Sequence, residues 1–173
     1  MQTKSMIRHC MMAGAFLLFY SSTAFCETDH KKIADEHLRN SETSLAIAEY
    51  KTAITLNPSS TALYFNLAIA CYNARSVNEA ATALEKLVAL DPNDVEAYYN
   101  LACLKLCQHD PQAAKLCFEK AKSCCNLKSK FFPLVDIGLE FMDQLKTLDP
   151  QTQDALFTLL TQSLPSERLS STH

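Results

Sequence analysis

The chain has 173 residues, 48% of them hydrophobic, with 16 basic against 19 acidic side chains and a formal net charge of −3. A mildly acidic balance attracts neither phosphate backbones nor anionic lipid, so nucleic acid is excluded as a partner class. The two glycines, Gly14 and Gly138, leave no phosphate-cradling loop and no nucleophile elbow to be written.

Residues 1–26 carry Lys4 and Arg8, no acid, an apolar run from Cys10 to Tyr20, and small residues up to Ala24. That order reads as a secretory signal peptide, which implies export to the periplasm or secretion. Cleavage after Ala24 sets Ser22 and Ala24 at the small-residue positions; cleavage after Cys26 would use Ala24 and Cys26. Bulky Phe25 argues against a lipidated cysteine at 26. The alternative is an uncleaved anchor that associates residues 1–26 with a membrane, although the run is short against the ~20 residues a bilayer asks for.

From residue 27 the sequence repeats at a pitch of 34 residues. Ala34, Ala68 and Ala102 are one pitch apart, as are Ala46, Ala80 and Ala114. Two further columns are Tyr50, Leu84 and Phe118, then Ala53, Leu87 and Ala121. Pro58 and Pro92 close the first two units, and Asn126 stands where a third proline would be. Small residues at fixed points mark places where two helices approach closely. The period predicts an all-α solenoid of antiparallel helix pairs, with units at 27–60, 61–94 and 95–128, none able to bury its apolar face alone.

After Lys130 the register is lost, but Leu134, Ile137 or Gly138, Phe141 and Leu145 make a helical stripe. Asp149 then Pro150 reads as an N-cap and first-turn proline, opening a helix with Leu156, Leu159 and Leu160 on one side. Residues 129–164 are therefore expected to be capping helices, making about eight helices in all; the stretch Phe131 to Leu148 could instead fold into a groove or dock a partner. The polar tail 165–173 is expected to be disordered.

The spaced pattern resembles the tetratricopeptide repeat, whose signature is aromatic-x2-Leu-Gly-x2-Tyr, then Ala-x3-Phe, then Pro. It stands here as Tyr64-x2-Leu67-Ala68-x2-Cys71, Ala80-x3-Leu84, Pro92, and again as Tyr98-x2-Leu101-Ala102-x2-Lys105, Ala114-x3-Phe118. The first unit is weaker at its start, with His30-x2-Ile33-Ala34-x2-His37 before Ala46-x3-Tyr50 and Pro58. Alanine replaces glycine in all three units. The resemblance implies a right-handed superhelix in which the first helix of each pair lines a concave face. Its ligand positions carry over to Lys31, Asp35, Leu38 and Arg39 in the first unit. They fall on Phe65, Asn66, Ile69, Tyr72 and Asn73 in the second, and on Glu96, Tyr99, Asn100, Cys103, Leu106 and Cys107 in the third.

Large apolar side chains at those positions suit apolar side chains of a partner segment, and Asn66 and Asn100 suit its backbone. The same apolar residues would also serve as packing against neighbouring helices. Members of the family that clamp a terminal carboxylate use Lys and Asn in the first unit, Asn in the second, and Lys and Arg in the third; Lys31 and Asn66 match but Asp35, Glu96 and Asn100 do not, so a carboxylate clamp is not expected.

Eight cysteines occur, six of them beyond Cys26. They read as small buried hydrophobes, as partners in a structural disulfide, or as redox or metal groups. A zinc set would recruit Cys103, Cys107, His109 and Cys117, without the paired C-x2-C spacing that makes such a site specific. No nucleophile, base and acid fall into a suggestive set, so no enzyme, cofactor, metal or small-molecule substrate is expected. The sequence points to an exported adaptor or scaffold that binds a peptide or protein segment. A cytosolic chaperone like those that hold type III translocators is the alternative, and a thiol redox or metal-binding protein is a minor third reading.

Overall fold

The structure, a computed structural model, describes residues 26, 27 and 29–163; residues 1–25 and 164–173, which include nearly all of the expected signal segment and the whole expected tail, lie outside the described residues. Among the described residues every regular element is a helix. They are α1 over residues 29–39, α2 (Thr43–Leu56), α3 (Thr61–Asn73), α4 (Val77–Leu90), α5 (Val95–Cys107), α6 (Pro111–Cys124), α7 (Phe132–Leu145) and α8 (Pro150–Ser163). The chain divides into two compact units, residues 1–63 and 64–173, and the division falls inside α3.

The repeating columns are the packing columns. Every member of the four columns from Ala34 to Ala121 is at most 3% exposed. Alanines there bring helix axes close, and the Tyr50, Leu84 and Phe118 column fills the remaining volume. In the first unit α1 and α2 are also tied by polar contacts. His30 Nδ1 lies 2.6 Å from Glu49 Oε2, and the Asn57 amide donates to Glu27 Oε2 at 3.1 Å.

The turn between the helices of each pair also repeats. Ser41, Arg75 and His109 stand one pitch apart and all adopt left-handed backbone, with φ of 61°, 62° and 58°. Around each, the next amide reaches back five residues: Glu42 N to His37 O, Ser76 N to Cys71 O, and Asp110 N to Lys105 O, at 2.8, 2.8 and 2.9 Å. The residue itself donates to the carbonyl three back, as Ser41 does to Leu38, Arg75 to Tyr72 and His109 to Leu106. This is the Schellman ending, which satisfies carbonyls that a helix terminus would otherwise leave bare. Glycine is the usual residue at that point; this chain has none there.

In the second unit α5 packs against α4 and α6, α6 against α7, and α5 against α8. Asp94 and Asp110 cap α5 and α6 by accepting from the amides of Ala97 and Ala113, at 2.8 and 2.9 Å. Asp149 caps α8 as expected, accepting from the amides of Gln151 and Thr152 at 3.1 and 3.0 Å.

Of the stripe expected on α7, Gly138, Phe141 and Leu145 pack inward, joined by buried Val135 and Met142, while Leu134 is exposed and Ile137 is 62% exposed. The cause is Gly138, which faces Phe118: a Cβ there would stand 2.6 Å from the Phe118 ring. The bare glycine lets α7 lie directly on that ring, and this contact turns Leu134 and Ile137 outward. On α8 the buried residue is Phe157, with Leu156 half-buried and Leu159 exposed. The pitch also persists further than expected: Phe132 and Val135 follow Tyr98 and Leu101 by 34 residues, and Val135 is buried as Leu101 is.

Candidate partner-binding site

The first-unit candidates, Lys31 and Asp35, neutralise one another. One turn apart on α1, they form an ion pair at 2.8 Å. The buried Tyr50 hydroxyl donates to the other carboxylate oxygen of Asp35 at 2.5 Å. Burial, then this hydrogen bond, pushes the Tyr50 hydroxyl pKa far above its ordinary value. Asp35 thus has both oxygens engaged, and Lys31 presents little unbalanced charge.

On α3 burial differs along the helix, and Tyr64 of the repeat signature is half-buried rather than buried. Leu67, Ala68 and Cys71 are buried, whereas Phe65, Asn66, Ile69 and Tyr72 are half-buried on adjoining sides of the helix. Asn73, at the end of the same helix, has a buried side-chain oxygen without a hydrogen-bond partner.

On α5 the candidates meet other parts of the chain. Tyr99, Cys103 and Leu106 pack on a buried cluster of Ala102, Ala114, Phe118, Met142, Leu145 and Phe157. The Tyr99 ring meets Phe118 edge-on at 5.9 Å and Phe131 at 5.8 Å. Burial pushes the Cys103 thiol up to about 12, against a smaller opposing pull from its hydrogen bond with Tyr99. Cys107 and Cys117 are also raised, chiefly by burial. Thiolates are the nucleophilic and metal-binding form, so these environments disfavour redox or metal chemistry at the third unit. Cys26, Cys103, Cys107, Cys117, Cys124 and Cys125 stand outside any disulfide. Asn100 is half-buried beside this group.

The structure therefore keeps Phe65, Asn66, Ile69 and Tyr72 together on one helix, engages Tyr99, Cys103 and Leu106 with the C-terminal helices, and pairs Lys31 with Asp35. Leu134 and Ile137, within the stretch that the sequence offers as a cap or a docking segment, stand one pitch after Asn100 and Cys103 and are exposed. Phe132 and Val135, recurring after Tyr98 and Leu101, are the signal of that pitch. A separate cleft of about 610 Å³ opens over Leu116, Met142 and Leu145, between Lys115 and Lys146. None of the candidate residues lines it.

Comparison with known proteins agrees with the repeat. Two profiles of the tetratricopeptide repeat match, one over residues 31–95 and the other over 83–115. Among curated proteins none matches the chain in sequence. Solved structures are similar in fold at low identity. The first tetratricopeptide domain of Spaghetti, bound to the HSP90 peptide SRMEEVD, is 17% identical with a TM-score of 0.61, over 71% of this chain and 94% of that one. The Yersinia enterocolitica type III secretion chaperone SycD, in complex with a peptide of the translocator YopD, is 14% identical with a TM-score of 0.63, over 69% and 93%. MamA is 18% identical with a TM-score of 0.63, over 85% and 81%. Likeness at this identity speaks for the fold alone.

Proposed function

The chain is a tetratricopeptide repeat protein, and on that premise we propose that it is a non-enzymatic, exported adaptor that holds a peptide or protein segment against the first helices of its repeats. The observation that carries the reading is the α3 stripe: Phe65, Asn66, Ile69 and Tyr72 are half-buried beside a fully buried packing stripe. Aromatic and aliphatic side chains take apolar anchors of a partner, and the Asn66 amide takes its backbone. Structural neighbours that hold peptides support the class of function. A carboxylate clamp is not part of the reading: Lys31 is bound to Asp35, and Glu96 and Asn100 stand where that recognition uses cations. Export rests on the basic start, the apolar run and the small residues of 1–26.

A photoreactive residue at Ile69 in the native host tests the binding reading. The expected result is one dominant crosslinked protein, absent when the probe is moved to exposed Thr82 on α4. Equal adducts from both positions would overturn it. Export is read by mass spectrometry of the mature N-terminus: a start at Phe25 or Glu27 supports it, and a soluble cytosolic chain retaining Met1 favours a chaperone acting before secretion.

A further inference from the structure

Helix α8 is seated differently from α7. Three buried side chains and the glycine contact on Phe118 hold α7, whereas Phe157 is the buried side chain of α8 among those described. Phe157 enters the cluster on which Tyr99, Cys103 and Leu106 pack, and its ring lies 5.4 Å from that of His109 at the end of α5. The link from Lys146 to Asp149 is exposed throughout. The helix also carries its own cap: Asp149 accepts from two amides and from the Thr152 hydroxyl, at 2.6 Å for the last. These bonds lie within the segment and survive if it leaves its seat, whereas the Gln153 amide, which donates to Leu145 O and Leu148 O at 3.0 and 2.8 Å, would give up the first of its two.

We infer that α8 is an exchangeable resident of the partner-binding surface, and that α5 takes in trans what it takes in cis: an amphipathic, nearly uncharged helix with a phenylalanine anchor next to a leucine. This rests on the adaptor reading above. Leu156 and Phe157 are the anchor pair of the resident, and Asp154 is the charged residue within the helix. A partner of this chemistry competes with α8 for the seat beside Leu106, so occupancy by α8 sets the apparent affinity of the surface. A site mostly filled by its own chain binds an added ligand more weakly in proportion to the free fraction.

The test uses the full chain and a labelled synthetic peptide of residues 150–163, read by fluorescence anisotropy. Phe157→Ala is expected to bind the peptide about tenfold more tightly than the unaltered chain, as a roughly nine-tenths docked resident requires. Leu159→Ala, altered at an exposed position, should match the unaltered chain. Alkylation of Cys103 should accelerate in Phe157→Ala and slow again when the peptide is added. Because Phe157→Ala opens part of the core, Leu156→Ala supplies a milder lesion, with helicity checked by circular dichroism and a smaller shift expected in the same direction. Absence of peptide binding by either folded variant overturns the inference, as does binding that persists after Leu106→Asp. These readouts need no natural partner, so their failure is separable from a failure of the Ile69 crosslink.

Discussion

Replacing Arg75 by glycine should stabilise the protein although it removes a side chain and adds no contact. Arg75 is exposed and sits at φ 62°, where its Cβ crowds the backbone. The left-handed conformation costs a non-glycine residue ~1–2 kcal/mol. Glycine avoids that strain but loses ~0.5–1 kcal/mol through its freer unfolded chain. The two backbone bonds of the turn, Arg75 N to Tyr72 O at 2.9 Å and Ser76 N to Cys71 O at 2.8 Å, are available to glycine unchanged. The net gain is ~0.5–1 kcal/mol, or about 1–4 °C in Tm for a chain of this size. Urea unfolding followed by circular dichroism should show a higher midpoint with unchanged slope. Arg75→Ala keeps the Cβ and should give no gain, which separates backbone relief from loss of charge. Ser41→Gly should behave like Arg75→Gly. His109→Gly should gain less, because its ring contact with Phe157 is lost. Equal stability of Arg75→Gly and Arg75→Ala would refute the left-handed turn as the source of strain.

Gly138→Val should destabilise by about 2 kcal/mol, because side-chain atoms would enter the space of the buried Phe118 ring and overpacking of this kind costs ~1–3 kcal/mol; a midpoint equal to that of the unaltered chain would show that α7 does not rest on that ring. Asp149 titrates below the usual carboxylate range, held there first by the Thr152 hydroxyl and then by the Thr152 amide. A depressed folded pKa means that its contribution is present above the unfolded value of about 3.9 and is lost as pH falls through the lowered folded value. Hydrogen exchange at the start of α8 should therefore quicken in that acid window, and Thr152→Ala should move the Asp149 carboxyl upward in an NMR titration. An unmoved carboxyl would remove the hydroxyl from the account.

The packing columns were legible because they depend on what recurs. Ala34, Ala68 and Ala102 are buried for one reason in three places, and repetition separates that reason from chance. The left-handed turns recur equally, yet Ser41, Arg75 and His109 share no chemistry that would advertise them; backbone geometry imposed by two flanking helices overrides residue preference there. Spacing alone leaves Ile137 or Gly138 as the inward position of α7, and the contact of Gly138 with Phe118, twenty residues earlier, decides it. A stripe through Leu134 and Ile137 has equally good helical spacing, and only the contact decides between the two faces. For the α5 candidates the sequence leaves both readings open, groove and packing, for the same reason. Nothing local to Tyr99, Cys103 or Leu106 announces that the segment beyond Asp149 returns to cover their cluster.

Two independent features constrain the chemistry of the partner in the same direction. At the first unit, a cation that could meet an acidic ligand is bound by Asp35, whose other oxygen is held by Tyr50. Releasing Lys31 would leave a half-buried carboxylate without its counter-charge, so an acidic ligand gains little there. At the third unit, the surface is already occupied, and its occupant carries one charge along the helix and anchors through phenylalanine. On the proposed reading, charge counts for little at Lys31 and the seat of α8 accepts an apolar helix, so each selects by shape and apolar area. Salt should then alter partner capture only weakly, because screening acts on charge and leaves apolar burial intact. A binding constant that falls steeply between low and physiological ionic strength would contradict both features at once.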